Sequence, residues 1–264
     1  MSVATRGSRP FLAPRLTDYW LTVARRTWRG TVVSSFVAPL LYIVAMGVLL
    51  GRFVDPARLE GAPSYLAFVA PGMVAAQSMT TVFGEVTYPV MGMIKWHRTY
   101  YGMIATPLGV SDVVLAQLGF ILARVGLVAA VFMAVMAAFG VFVSVWGVLV
   151  AWLVQLLLGL AFAAPIFGFT AGLKDESAFS LIFRLGMIPL FLFSGAFFPV
   201  SNLGPGLEWF ARLTPLWHGV DLTRMLVLGH VDGTTALVHV AYLLLLGCLG
   251  TWWAARRLTR RLIS

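Results

Sequence analysis

The sequence has few charged residues: Asp, Glu, Lys and Arg make up 11% of its 264 residues, whereas hydrophobic residues make up 60%. A soluble domain needs about a quarter charged residues to cover its surface. This composition therefore excludes a soluble protein and indicates an integral membrane protein. The apolar runs are continuous and do not alternate with polar residues, which predicts transmembrane helices and an all-α fold.

The sequence also lacks the motifs of common enzyme classes. It has no G-x-x-x-x-G-K-[ST] phosphate loop and no G-x-S-x-G nucleophile elbow, so we predict no ATPase or hydrolase site on this chain. The four histidines are dispersed and have no H-E-x-x-H or Cys/His spacing, so no metal site is predicted. The single cysteine, Cys248, excludes an intrachain disulfide. We therefore predict no catalytic residue and no cofactor on this chain.

Six apolar segments predict six transmembrane helices, at about residues 31–50, 65–91, 113–139, 147–172, 178–198 and 234–255. Before the first span, residues 16–29 place Leu16, Tyr19, Trp20 and Val23 on one face, which predicts an amphipathic helix at the membrane surface. The predicted organisation is a cytoplasmic and interfacial N-terminus (1–30), one membrane domain (31–256) and a basic cytoplasmic tail (257–264).

The basic residues predict the orientation. Six spans place both termini on one side, and that side carries 13 Lys and Arg residues against four on the other, with two inside spans. The positive-inside rule therefore predicts cytoplasmic termini. Because the basic residues flank the spans, we interpret the net charge of +9 as attraction to anionic membrane lipid and not to nucleic acid.

Three charged residues lie inside the predicted spans: Glu85, Arg124 and Arg184. Charges are costly in lipid, so these side chains are expected to face the bundle interior, water or one another. We hypothesise that Glu85 pairs with Arg124, either only to stabilise the fold or with a role in transport. A proton relay would need a chain of such groups, and the sequence has none.

Two further segments do not fit simple spans or loops. The cytoplasmic loop KWHRTYYGMIATPLGVSD (95–112) mixes charged and aromatic residues, so it is either a solvated turn or a docking element for a partner. The segment FLFSGAFFPVSNLGPGLEWFARLTPLWHGVD (191–221) begins as a span and breaks at Pro199 and Gly204. Its remaining apolar part is too short to cross the membrane again.

The chain resembles the membrane permeases of type-2 ABC exporters, particularly the branch with Nod-factor and daunorubicin-resistance permeases. The resemblance covers essentially the whole chain. It is carried by the basic amphipathic N-terminus and by YLAFVAPGMVA (65–75), ATPLGVSDVVLAQ (105–117), FLFSGAFFP (191–199) and LTPLWHGVDLTR (213–224).

This resemblance implies a permease of the bacterial inner (cytoplasmic) membrane that moves an amphipathic or lipid-linked substrate outward, such as a glycolipid, a lipid-linked saccharide or a hydrophobic drug. The implied partners are a second permease copy, in a homodimer or a heterodimer, and two copies of an ATP-binding subunit. ATP and Mg would be bound by that separate subunit.

The resemblance also implies two functional regions. The first is a coupling loop at about 95–107, where we expect the ATPase subunit to dock on Lys95, Arg98, Tyr100, Tyr101, Thr106 and Pro107. The second is a re-entrant helical hairpin at about 199–228 on the outer side, between spans five and six. Its expected gate residues are Pro199, Gly204, Gly206, Pro215 and His218, although Pro215 and His218 also fit an ordinary helix start.

Two other functions remain open from the residues alone. The chain could be a multi-span lipid-modifying enzyme in which His218 and Asp221 act on a headgroup at the outer interface. It could also be a secondary transporter that uses Glu85.

Overall fold

A computed structural model describes residues 13–54, 59 and 61–263, and every regular element in these ranges is helical. Residues 1–12 of the predicted N-terminal region lie outside the described part. The α-helices, in chain order, are α1 (Thr17–Tyr42), α2 (Tyr65–Val86), α3 (Tyr88–Met91), α4 (Thr99–Ile104), α5 (Val110–Ala138), α6 (Val145–Gly172), α7 (Ser177–Leu181), α8 (Ile188–Phe193), α9 (Pro205–Arg212), α10 (Pro215–Leu228) and α11 (Gly233–Ile263).

Four helical stretches are long and apolar enough to cross a membrane. These are Tyr65–Trp96, which continues α2 through α3, and the helices α5, α6 and α11. Each coincides with a predicted span. Side-chain oxygens define two of their starts: Ser64 Oγ accepts a hydrogen bond from the backbone N–H of Ala67, and Ser144 Oγ accepts one from Gly147. The chain is therefore a multi-pass membrane protein.

The other two predicted spans coincide with shorter apolar helices, Leu40–Phe53 and Ser177–Phe193. The first belongs to a continuous helical stretch, in which α1 runs on through a π-helical turn (Ile43–Leu49) and a 3-10 turn (Leu50–Phe53). The second ends at Phe193, five residues before the predicted limit of 198. It ends early because the next residues form bends, with Gly195 at a φ of 77°.

The predicted amphipathic helix and first span form one uninterrupted helix. Leu16 and Trp20 are buried, and the Trp20 ring stacks on Phe120 of α5 with centroids 4.5 Å apart. Asp18 and Arg25 are exposed on the other side. The chain therefore packs on the bundle here through Leu16 and Trp20 of the predicted face, whereas Tyr19, predicted on the same face, is exposed.

At the other end of the chain, α11 extends beyond the predicted limit of 255. Residues 257–263, predicted as a separate tail, continue this helix. The reason is packing, because Leu258 and Leu262 lie one turn apart and are both buried.

Helix α6 lies at the centre and packs against α2, α5, α10 and α11. Small residues allow α6 and α11 to approach closely: a Cβ built on Gly250 would lie 2.5 Å from Pro165 Cδ, and one on Gly168 would lie 2.6 Å from the Trp253 ring. Packing through small residues is typical of membrane helices, where dispersion contacts replace the hydrophobic drive of water.

Candidate functional site

The loop between α3 and α5 contains a short helix, α4, at its centre. Arg98 precedes this helix in the left-handed backbone region, with φ 52° and ψ 26°, so the chain turns sharply there. After α4, Asp112 Oδ2 accepts a hydrogen bond from the Gly109 N–H at 3.0 Å, at the start of α5. The predicted coupling loop therefore contains a defined helical turn.

The predicted docking residues differ in their exposure. Tyr100 is fully buried and its ring stacks on Phe167 of α6, with centroids 6.3 Å apart. This burial raises the pKa of the Tyr100 phenol well above its ordinary value. Thr106 and Pro107 are exposed at the turn that follows α4. Tyr100 thus holds the helix from inside, whereas Thr106 and Pro107 have surface to offer a partner.

A set of hydrogen bonds joins α4 to the ends of α6 and α11. The Tyr101 hydroxyl donates to the Arg261 carbonyl oxygen at 3.3 Å. The Arg261 guanidinium donates to the carbonyl oxygens of Ala171, at 3.1 Å, and Leu173. These carbonyls lie at the C-terminus of α6, where helix carbonyls lack intrahelical partners. Arg261 therefore ties three elements together.

An ion pair fixes the start of the same loop. Lys95 Nζ lies 3.0 Å from Glu176 Oε2, in the connection between α6 and α7. The hydrogen bond from Lys95 lowers the pKa of the Glu176 carboxyl below its ordinary value. The sequence analysis missed both Glu176 and Arg261, because partners 81 and 160 positions away leave no local pattern.

Of the three charged residues predicted inside the spans, two lie against each other and the third is exposed. Arg124 Nε on α5 lies 3.2 Å from Glu85 Oε1 on α2, and both side chains are less than a quarter exposed. The hypothesised partners are therefore in contact. Arg184 lies on the π-helical turn Ile182–Met187, is exposed, and forms no ion pair with any described residue.

Between α8 and α11 the chain forms a 3-10 turn (Val200–Leu203) followed by the two helices α9 and α10. Pro199 precedes the turn, and Gly204, at φ 79° and ψ 160°, precedes α9. Thr214 starts α10: its Oγ1 accepts a hydrogen bond from the Trp217 N–H at 3.3 Å, and Pro215 occupies the first helical position. Gly229, in the left-handed region, ends α10.

A buried polar network attaches α10 to α2 and α6. Gln155 Nε2 donates to Thr223 Oγ1 at 2.9 Å, and Ser78 Oγ donates to Gln155 Oε1 at 3.0 Å. All three side chains are fully buried. Satisfied polar groups in a dry interior hold their elements in one relative position. The sequence analysis did not single out any of these three residues.

Arg224 adds a second attachment of α10. Its Nε donates to the Phe68 carbonyl oxygen at 3.2 Å, and its Nη2 donates to the Gly195 carbonyl oxygen at 2.7 Å. The guanidinium carbon lies 3.8 Å from the centroid of the Phe68 ring, a cation–π contact. The side chain is 8% exposed. Arg224 therefore holds α10 against α2 and against the bend after α8.

The predicted gate residue His218 belongs to a third attachment. Its Nδ1 lies 2.6 Å from Nδ1 of His239 on α11, and His239 Nε2 lies 3.0 Å from Asp221 Oδ2. His218 also stacks on Tyr242, with centroids 4.0 Å apart. In the part of the chain that the structure describes, no group of three His, Cys, Asp or Glu residues is placed to hold a metal ion.

Two pockets adjoin the segment that contains α9 and α10. A polar pocket of about 220 Å³ is lined by Arg212, Trp217, Asp221, Arg224 and Thr235, together with Gly195 and Val200. A larger one of about 570 Å³ is lined almost entirely by apolar groups, among them Met46, Leu50, Tyr65, Phe191, Phe197 and Pro199. The larger pocket lies between the end of the first helical stretch and the end of α8.

Comparison with known proteins identifies a family and relatives of this chain. Residues 16–228 match the family described as ABC-2 type transporter. Nodulation protein J of Rhizobium leguminosarum bv. trifolii is 33% identical over 218 residues, which cover 80% of this chain and 82% of that protein. Nodulation protein J of Sinorhizobium fredii (strain NBRC 101917 / NGR234) is 31% identical over 252 residues, which cover 93% of this chain and 94% of that protein.

Proposed function

The chain belongs to the ABC-2 type transporter family, and from this premise we propose that it is the permease subunit of an ATP-driven exporter. It moves an amphipathic or lipid-linked substrate outward across the bacterial inner membrane, and a separate subunit binds and hydrolyses ATP with Mg. The observation that carries this proposal is the short helix α4, which Tyr101 and Arg261 tie to the ends of α6 and α11.

The coupling loop receives the movement of the ATPase subunit. A docking element must be firmly joined to the spans, since a loosely attached loop would absorb the displacement. Tyr100 packs inside the bundle at the centre of the loop, and the Tyr101 hydroxyl donates to the Arg261 carbonyl oxygen, so α4 is held against the spans. The exposed turn with Thr106 and Pro107 supplies the contact surface, and Arg98 and Tyr101 lie at the base of α4.

The chain crosses the membrane six times, with both termini in the cytoplasm. Supporting this, α1 and its continuation give one helical stretch of residues 13–53, which at 1.5 Å per residue is about 60 Å long. That length accommodates an interfacial part and a span. The stretch Ser177–Phe193 has 17 residues, which gives about 25 Å and is close to the bilayer core thickness of about 30 Å.

Residues 199–228 form a re-entrant hairpin at the outer face, and its two helices have different tasks. Helix α10 is attached through Gln155, Arg224 and His239, so it forms a fixed wall. Helix α9 has one buried residue, Ala211, and exposes Trp209. The movable part of the outer gate is therefore α9 with the turn from Pro199 to Gly206, which leads to Pro215 and His218 at the fixed wall.

The apolar pocket of about 570 Å³ beside Pro199 supports an amphipathic cargo. Pockets that bind apolar groups are lined by aliphatic and aromatic side chains with few polar atoms. This pocket meets that description, and the polar pocket with Arg212, Asp221 and Arg224 lies on another side of the same hairpin. The apolar part of a substrate and its polar head would each find a matching surface near the exit.

The assembly contains a second permease copy and two ATPase subunits. Exposed apolar side chains on the first helical stretch and on Ser177–Phe193 support a permease–permease contact; they are Phe36, Val37, Leu41, Leu181, Leu185, Ile188 and Leu192. Two copies related by a twofold axis would bury these rows on each other. We favour a homodimer, with a heterodimer as the alternative.

No observation favours either of the other two functions. A lipid-modifying enzyme would need His218 to reach a headgroup, whereas its ring is buried against His239 and Tyr242. A secondary transporter based on Glu85 would need further ionisable groups along its path, whereas Glu85 lies against Arg124.

Cysteine cross-linking tests the proposed docking. In a Cys248→Ser background, Thr106→Cys is expected to cross-link to the proposed ATPase subunit, because residue 106 is exposed at the coupling turn. The matched control is Leu207→Cys, which is exposed on α9 at the proposed outer face and should give no cross-link. The reverse result, or failure of any ATP-binding subunit to co-purify, would refute the proposed function.

A further inference from the structure

A pocket of about 430 Å³ lies between α4 and the C-terminal end of α11. It is lined by Ile94, Lys95, Arg98, Tyr101 and Arg261. Three of these five residues are cationic and none is acidic. Such a set of cations is the chemistry that recognises a phosphate or another oxyanion.

The cations of this pocket are not neutralised by strong ion pairs. Lys95 pairs with Glu176, but both side chains are about 40% exposed, and ion pairs this exposed are weak. Arg261 donates to two backbone carbonyl oxygens, which are uncharged, so its guanidinium keeps its positive charge. Arg98 forms no ion pair with residues 13–54, 59 or 61–263. Glu176 is the acidic neighbour, with Asp175 next to it in the chain.

The surroundings of the pocket point to the membrane surface. Only 22% of the apolar part of α11 is buried within the chain, so most of this helix faces lipid or a partner. Trp252 is exposed and lies two to three turns before Arg261, and the Arg256 guanidinium carbon lies 4.0 Å from the centroid of the Trp252 ring. Trp and Arg at a helix end mark headgroup depth.

We propose that this pocket binds the phosphate headgroup of an anionic phospholipid of the inner leaflet. The inference rests on the cytoplasmic orientation of α4 in the proposed function. The phosphate lies between Lys95, Arg98 and Arg261, and the acyl chains extend along Ile94 and the lipid-facing side of α11. A basic pocket between the cytoplasmic ends of helices is a known form of headgroup site. The bound lipid holds α4 against α11, behind the docking turn with Thr106 and Pro107.

The test measures lipid bound to the full-length chain in neutral detergent by native mass spectrometry, with dioleoyl phosphatidylglycerol as the probe. The pocket variant is Lys95→Gln with Arg98→Asn; it leaves the Arg261 hydrogen bonds intact, and Asn tolerates the left-handed backbone at position 98. Each lost charge-assisted contact to the phosphate costs roughly tenfold in affinity, so this variant, which loses two, should bind phosphatidylglycerol about 100-fold more weakly.

The matched control removes the same charge on the same side, through Lys174→Gln with Arg256→Gln, and should bind phosphatidylglycerol like the wild type. Dioleoyl phosphatidylcholine should bind more weakly than phosphatidylglycerol, and inorganic phosphate should not displace the lipid. Equal losses in both variants would mean unspecific attraction and would overturn the inference. Displacement by phosphate would also overturn it, since the site would then bind free anion.

The ATPase subunit provides the last arm of the test. The lipid should remain bound when the ATPase subunit is added to the wild-type chain. Displacement of the lipid by the ATPase subunit would overturn the inference and assign the pocket to the docking surface. A pocket variant that binds the ATPase subunit but shows unchanged lipid binding would refute the lipid site and leave the proposed function standing.

Discussion

The contact between α2 and the bend after α8 gives the sharpest test of the packing. Gly72 lies on α2 where residues 194–196 cross it. A Cβ at position 72 would lie 2.5 Å from Ala196 Cα and 2.7 Å from the Ala196 carbonyl oxygen. Arg224 donates to the carbonyl oxygens of Phe68 and Gly195 beside this crossing. Gly72→Ala therefore forces apart two backbones that Arg224 holds together.

The cost of Gly72→Ala follows from these distances. Nonbonded carbon atoms are in optimal contact at about 3.5–4.0 Å, so the backbones must separate by about 1 Å. Overpacking of this kind costs about 1–3 kcal/mol, and longer hydrogen bonds from a charged group add about 1–2 kcal/mol. The better helix propensity of alanine returns about 1 kcal/mol. The net loss is about 1–4 kcal/mol, which lowers Tm by about 2–15 °C in a chain of this size.

Thermal unfolding of the purified chain in detergent measures this loss. The matched control is Gly119→Ala on the spanning helix α5, where no heavy atom lies within 4 Å of the added Cβ. It should leave Tm unchanged or raise it slightly, because only helix propensity changes. If the Gly72→Ala variant were as stable as the Gly119→Ala variant, residues 194–196 would not pack closely on α2, and this prediction would be refuted.

Three further predictions concern the ion pair, the hairpin turn and the buried network. Reversing the charge of Glu85 or Arg124 alone should cost about 3–5 kcal/mol, since like charges then face each other. Exchanging the two residues should restore most of the melting temperature. A double variant no more stable than either single variant would refute the pairing. Gly204→Ala should destabilise α9 and the turn before it by about 1–3 kcal/mol, because residue 204 has a positive φ, whereas Gly206→Ala should be neutral. Hydrogen exchange of the α9 amides measures this difference, and equal protection of those amides in the two variants would contradict the prediction. Gln155→Leu should lower the unfolding free energy by about 1–3 kcal/mol in the same melts, because two buried hydroxyls lose a partner, and an unchanged Tm would count against the network.

The spans could be read from the sequence because a membrane helix must satisfy its own backbone and present apolar side chains for about 20 residues. This constraint is local, so α2, α5 and α6 begin and end near the predicted positions, and α11 begins there. It fails where packing decides the end of a helix. Leu258 and Leu262 extend α11 into the basic tail, and the bend at Gly195 shortens the fifth apolar segment.

The attachments of the candidate site could not be read in this way. Sequence periodicity says which face of a helix is apolar, but it does not name the residue on the facing helix. Tyr101 and Arg261 are 160 positions apart, and Gln155 and Thr223 are 68 apart. The Glu85–Arg124 pair could be hypothesised only because two opposite charges are rare and costly inside spans. Uncharged polar residues such as Gln155 carry no comparable signal.

These attachments change how the proposed outer hairpin must be tested. A variant in α10 that removes Arg224 breaks contacts to α2 and to the bend after α8, so its loss of export would also follow from a damaged fold. A variant at Trp209 in α9 changes a side chain that is 67% exposed and leaves those contacts in place. Loss of export with an unchanged melting temperature is therefore informative only at α9. Helices α9 and α10 follow each other in the chain, but only variants in the weakly attached α9 can test a gating role without disturbing the fold.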